Sequence, residues 1–383
     1  MRGQPPTVVI APDSFKGSMT APRAASAIAE GLYRVWPGSD FRLCPMADGG
    51  EGTLDAVLSR GGRRLSARVS GASGKSVEAG YGLAGEGGGV AIIEAAQIVG
   101  LTDCDGTSVD VEGRSSRGVG ELIGKLLDDG LRSFMVGLGG TSTNDGGAGM
   151  LAALGVRLVD NAGRDVEATP RGLSMLAELN TDRLDPRLRR ATITIMSDVD
   201  NVLTGSRGAT AIFGPQKGVR GDRVSEIDAS IARFAELIEK SLGKRRRDEP
   251  GAGAAGGLGF ALQLVGGEMR SGAEVVADLI GLDAALQSAH WAITGEGRSD
   301  AQTLLGKTPF LVASRAAKEN VTATLISGMV EREALPLLRP YFAGCFSIAD
   351  GPMSLQDCIA NAPRLLADRS EQIARVVAAD LCR

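Results

Sequence analysis

The chain has 383 residues, 43 % hydrophobic and 23 % charged, with a formal charge of −4. That length exceeds what one hydrophobic core usually spans, so two domains are expected. The mild negative charge argues against a nucleic-acid or acidic-membrane partner, which needs a basic face. One histidine, His290, makes a His-based metal site or a Ser–His–Asp hydrolase a poor fit. His290 itself reads as structural. The five cysteines, Cys44, Cys104, Cys345, Cys358 and Cys382, are odd in number and widely spaced, which suits reduced thiols in a cytoplasmic protein. No basic leader with an apolar core and no apolar run of membrane length is evident.

In chain order, Thr7-Val8-Val9-Ile10-Ala11 is a short β-branched run ended by Pro12-Asp13, the pattern of a buried parallel strand. Thr20 with Pro22 then caps a helix carrying Ile28, Leu32 and Val35 on one face, and Pro37-Gly38 ends it. Residues 66–90, rich in Gly and Ser, alternate like antiparallel strands. Further strands are expected at 134–138, 192–196, 292–294, 322–326 and 345–348, each followed by small or acidic residues. Open α/β sheets hold their ligands at these carboxyl ends. The expected fold is therefore α/β with two domains. A doubly wound, Rossmann-like or flavodoxin-like parallel sheet would take 1–72 plus 291–383, and a second α/β domain 73–290.

Two familiar patterns fail on context. Residues 251–256 match G-x-G-x-x-G, but Arg247-Asp248-Glu249-Pro250 ahead of them is no strand, so an NAD-linked hydroxy-acid dehydrogenase stays a secondary reading. Gly306-Lys307-Thr308 resembles the end of a phosphate loop, yet Ala301 stands where its first glycine belongs. Lys307 could still meet a phosphate by another geometry. The basic run 244–247 is followed at once by Asp248 and Glu249 and reads as a solvated helix end.

Four loops combine glycine, hydroxyls and acids. In the first, Asp13-Ser14-Phe15-Lys16-Gly17-Ser18, Lys16 suits a carboxylate or phosphate, with Ser14 and Ser18 as donors. In the second, Asp48-Gly49-Gly50-Glu51-Gly52, open backbone N–H groups suit an anion, and Asp48 and Glu51 can accept from substrate hydroxyls. The third, Gly139-Gly140-Thr141-Ser142-Thr143-Asn144-Asp145-Gly146-Gly147, is the most phosphate-like stretch of the chain. The fourth, Ser197-Asp198-Val199-Asp200-Asn201, suits general-base work or Mg²⁺. Lys217 adds a cation downstream, and Gly295-Glu296-Gly297-Arg298-Ser299-Asp300 adds another acid pair. This inventory fits phosphoryl transfer, which needs anion cradles, cations, metal-binding carboxylates and a proton acceptor, but neither His nor Cys.

These loops, in this order from about Val8 to Leu366, resemble the bacterial glycerate kinases of type I. The resemblance implies two α/β domains with the active site in the cleft between them. It implies transfer from ATP, with Mg²⁺, to D-glycerate, usually at the 2-hydroxyl in enzymes of this type, with the 3-hydroxyl as the alternative. On the matching motifs, Asp198 is the candidate base and Lys16 its catalytic partner. Asp13, Ser14, Asp48, Gly50 and Glu51 are candidates for the glycerate side. Gly139, Gly140, Thr141, Ser142, Asn144 and Lys217 are candidates for the nucleotide phosphates, and Asp200, Glu296 and Asp300 for the metal. A cytoplasmic monomer or homodimer, without nucleic-acid or membrane partners, is the expectation. A sugar-acid sensor without turnover is the non-catalytic alternative.

Overall fold

The computed structural model describes residues 5–304 and 306–381; Cys382 and Arg383 lie outside the described residues. The chain divides into two compact units. Met1–Asp48, Asp55–Gly61 and Ala273–Arg383 form the first, and Gly49–Leu54 with Gly62–Gly272 the second.

The first unit is built on a five-stranded, wholly parallel sheet, in the spatial order Gly344–Ser347, Thr322–Ser327, Trp291–Thr294, Thr7–Ile10, Asp40–Leu43. The central strands are continuous apolar runs because both faces are covered, as parallel sheets require. Val8, Ile10 and Ile293 are fully buried. Helix Ala21–Tyr33 starts where expected: the Thr20 hydroxyl accepts from the Arg23 N–H at 3.4 Å. It packs on the long helix Leu355–Leu381. A Cβ on Gly31 would come within 2.1 Å of the Ala367 carbonyl oxygen, so glycine is what lets these two helices touch. His290 is structural: its Nδ1 accepts from the Thr7 N–H at 3.0 Å, at the foot of the sheet.

The second unit holds a six-stranded mixed sheet, ordered Glu268–Arg270, Thr192–Met196, Ser133–Gly137, Val90–Glu94, Ser76–Ala84, Arg63–Ser70. The first four are mutually parallel, and the last two close the sheet antiparallel. Its core centres on Phe134, Ile195, Phe234 and Phe260, the last two meeting edge to face at 6.4 Å. The basic run 244–247 folds back on buried Glu239, which accepts from the Arg246 and Arg247 N–H groups and pairs with the Arg247 guanidinium at 2.7 Å.

The boundaries differ from the expected ones. Strand Arg63–Ser70 pairs along its whole length with Ser76–Ala84, so a division at residue 72 would split a hairpin. At the other end, residues from Ala273 onward join the first unit. There Arg315 reaches Asp278 at 2.8 Å and Asp283 at 3.2 Å. Among the described residues Cys44, Cys345 and Cys358 carry free thiols, and no helix is long and apolar enough to cross a membrane.

Candidate active site

In the first unit, the carboxyl ends of neighbouring strands open onto a cavity of about 430 Å³. Its polar side carries Asp13, Ser14, Lys16, Asp48, Glu296, Asp300 and Lys307. Backbone contacts set the loops: the Asp13 N–H donates to the Gly295 carbonyl at 2.8 Å, and the Gly328 N–H to the Glu296 carbonyl at 3.0 Å. Close approach requires glycine at 295, where a Cβ would sit 1.9 Å from the Ile326 carbonyl oxygen. Buried Phe15 anchors the loop that presents exposed Lys16.

Asp13 keeps part of its surface in solvent, but its carboxylate sits deep among protein atoms. Burial first, and the neighbouring Asp48 carboxylate second, push its pKa up to about 7. The Ser14 N–H (2.6 Å) and the Thr308 hydroxyl (2.9 Å) donate to it and hold it in place. Glu296 is buried and shifted upward mainly by that burial. Its Oε1 accepts from the Ser299 hydroxyl at 2.9 Å and the Thr303 hydroxyl at 2.7 Å. Lys307 lies 3.7 Å from Asp300. The segment that only partly matches a phosphate loop is thus part of this cavity: Lys307 lines it and Thr308 orients Asp13.

In the second unit, strands Ser133–Gly137 and Thr192–Met196 run side by side with Gly137 opposite Met196, so the loops that follow them leave from adjacent ends. Segment 49–54 packs beside these ends. A Cβ on Gly139 would lie 2.6 Å from the Gly50 Cα, and one on Gly137 would lie 2.4 Å from the Gly49 carbonyl oxygen. Gly49 also needs its φ of +88°. Asp198 is exposed and its Oδ1 accepts from the Gly272 N–H at 3.2 Å. Asp200 and Glu51 are exposed.

The glycine-rich loop is open only at Gly139 and Gly140. From Thr141 to Asp145 every side chain is buried. The Ser142 hydroxyl donates to the Val99 carbonyl at 3.1 Å, and the Asn144 amide to the Thr210 hydroxyl at 3.0 Å. Asp145 accepts from the Ser116 N–H and hydroxyl and from the Gly147 and Gly149 N–H groups. Burial shifts its pKa upward. Lys217 is buried too, and desolvation brings its pKa down to about 7. Its ammonium donates to the Thr143 carbonyl at 2.8 Å. Residues 251–256 are packing rather than a cradle: a Cβ on Gly256 would lie 2.1 Å from the Thr143 carbonyl oxygen.

Sequence reasoning passed over two buried charges here. Glu94 accepts from the Leu54 N–H at 2.6 Å and from the Gln97 amide at 3.1 Å, securing the helix that follows the second loop. Arg114 reaches four backbone carbonyls. Neither sits in a motif; the apolar run Val90-Ala91-Ile92-Ile93 that Glu94 ends was the one available signal for it. Among the described residues no three acids, histidines or cysteines are grouped to hold a metal ion.

Parallel strands that end in lysines, carboxylates and glycine turns have the build of a small-molecule kinase. The chain belongs to the glycerate kinase family, whose profile matches residues 8–378. It is 42 % identical to a glycerate kinase of Bacillus subtilis (strain 168), over 98 % of this chain and 97 % of that one. A glycerate 2-kinase of Escherichia coli (strain K12) is 37 % identical over 97 % and 98 % of the two chains. A crystal structure from Salmonella typhimurium LT2, described as a candidate glycerate kinase 2, superposes with a TM-score of 0.87 at 39 % identity, covering 99 % of this chain and all of that one. The protein is thus an enzyme of the kinase class with a two-unit α/β fold.

Proposed function

We propose that this enzyme transfers the γ-phosphoryl group of ATP to the 2-hydroxyl of D-glycerate, giving 2-phosphoglycerate and ADP in the cytoplasm. The observation that carries the reading is the first unit's cavity, where Lys16, Lys307, Asp13 and Asp48 meet at strand ends in a chain of this family. The position of transfer rests on the name of the Escherichia coli relative. Free thiols at Cys44, Cys345 and Cys358 agree with a reducing compartment.

Lys16 and Ser14 bind the glycerate carboxylate or the phosphoryl group in transfer, and Lys307 adds a second positive charge. Asp48 accepts a hydrogen bond from a substrate hydroxyl, and Asp13, half protonated near neutral pH, can accept or donate there. Gly50 and Glu51 are further candidates for contact with the acceptor. Gly139 and Gly140 offer backbone to the nucleotide phosphates, with Thr141, Ser142 and Asn144 shaping the loop behind them. Asp198, an exposed carboxylate oriented by the Gly272 N–H, takes the proton of the attacking hydroxyl. Glu296 and Asp300 are hard oxygen donors in the cavity and suit Mg²⁺, which needs few protein ligands when phosphates supply the rest; Asp200 is the candidate on the second unit. Bound Mg²⁺ would neutralise charge on the phosphates.

A coupled ADP-release assay with D-glycerate against a panel of hydroxy acids tests the activity. Turnover of glycerate no higher than background rejects it. Phosphorus NMR of the product distinguishes 2- from 3-phosphorylation.

A further inference from the structure

The glycine-rich loop rests on two buried cations whose hydrogen bonds all go to this chain. Arg114, 6 % exposed, donates through Nε to the Val109 carbonyl at 2.9 Å and through one terminal nitrogen to the Thr107 carbonyl at 3.2 Å. Its other terminal nitrogen reaches the Ser142 carbonyl at 3.2 Å and the Lys217 carbonyl at 3.0 Å. Lys217, 5 % exposed, donates to the Thr143 carbonyl at 2.8 Å, with the Thr141 hydroxyl at 3.5 Å. The charged groups acting on Lys217 are Asp145 and Arg114. Asp145 is already saturated by four donors from 116, 147 and 149.

Burying an arginine and a lysine beneath one loop, where desolvation lowers the pKa of both, is an expensive arrangement if stability were its only use. The loop also leaves Thr143 Oγ1 and Asn144 Oδ1 buried without partners. Buried polar atoms without partners need an explanation beyond the loop's own bonds. The loop's shape leaves Gly139 and Gly140 open, directly ahead of the two gripped carbonyls.

We infer that Arg114 and Lys217 are positioning residues for the nucleotide: by gripping the Ser142 and Thr143 carbonyls they fix the shape of the loop that follows Gly139–Gly140, where a polyphosphate binds, without touching it. The inference rests on the reading above that this loop receives the phosphates of ATP. It gives Arg114 a role and moves Lys217 from ligand contact to support.

The test uses the full-length chain and the variants R114K, R114M and K217M, checked for folding by circular dichroism. Two readouts are taken: KM for ATP against KM for glycerate, and the rise in melting temperature caused by ATP alone. We expect R114M and K217M to raise KM for ATP at least tenfold, leave KM for glycerate within twofold, and lose most of the ATP-induced rise. R114K keeps the charge but not the fork and should fall between. The paired variant should lose less than the two single effects combined, because both residues grip one loop. Folded variants whose KM for ATP stays within twofold of wild type, or whose two KM values rise equally, overturn the inference. If R114M fails to fold, R114K decides on the same readouts. A wild-type enzyme inert on glycerate would sink the kinase reading, while the ATP-induced shift would still judge the loop.

Discussion

Asp13→Asn offers the sharpest test of the electrostatics. In the folded enzyme Asp13 holds its proton up to about pH 7, whereas an unburied aspartate loses it near 3.8. Between these values the unfolded chain binds fewer protons than the native one, so stability falls as pH rises and levels off above about 7. At about 1.4 kcal/mol per pH unit, this group alone removes roughly 2.5 kcal/mol between pH 5 and pH 8. Its partial solvent contact lowers the expectation to about 1–2.5 kcal/mol. The asparagine variant lacks that slope. It also loses an acceptor for the Ser14 N–H or the Thr308 hydroxyl, but this cost is the same at both pH values and cancels in the comparison. Urea unfolding of both proteins at pH 5 and pH 8 gives the double difference directly. Equal pH slopes in wild type and variant would refute the claim that Asp13 is ionised at a cost in the cavity.

Four further outcomes follow from the geometry. Asp198→Asn should reduce kcat by about 10²–10⁴ with an unchanged unfolding transition, as loss of a general base does; stopped assays at saturating substrates decide, and near-normal kcat places the base elsewhere. Lys16→Met should raise KM for glycerate about tenfold or more, because one exposed cation next to a carboxylate or phosphoryl group is removed. Gly139→Ala should destabilise by about 1–3 kcal/mol through overpacking, since its Cβ would lie 2.6 Å from the Gly50 Cα. Gly124→Ala, with open space around the new Cβ, should instead gain about 0.5–1 kcal/mol in its helix; thermal melts of the pair give the contrast.

Much of the architecture could be read from residue pattern. Buried parallel strands are apolar throughout and end in small or acidic residues, so Thr7–Ile10, Thr192–Met196 and Trp291–Thr294 were visible as runs. The antiparallel alternation after residue 66 was visible too, but its partition was not. Which unit a strand joins depends on its pairing partners, and Arg63–Ser70 is assigned only by its register with Ser76–Ala84. The consecutive glycines at 61 and 62, both at positive φ, were the local sign of the crossing. In the site, loops with several chemical groups in a row announced themselves. Arg114 and Glu94 did not, because an isolated charge inside a helix-bounded or apolar stretch looks the same whether it faces water or grips backbone. Lys307 was half visible: its neighbours matched the end of a phosphate loop, and only the fold shows that they share a cavity with Asp13.

The way the backbone threads its units has a consequence for biosynthesis. Strand Thr7–Ile10 finds one of its two partners only at Trp291–Thr294, nearly three hundred residues later, whereas the stretch Gly62–Gly272 holds every strand of the mixed sheet. A nascent chain can therefore assemble the later-starting unit while the earlier-starting one still waits, its apolar opening strand unpaired on that side until the ribosome has nearly finished. Truncations after residue 272 should leave a foldable middle and an aggregation-prone head, and the whole protein should depend on chaperones most when translation stalls in its last quarter.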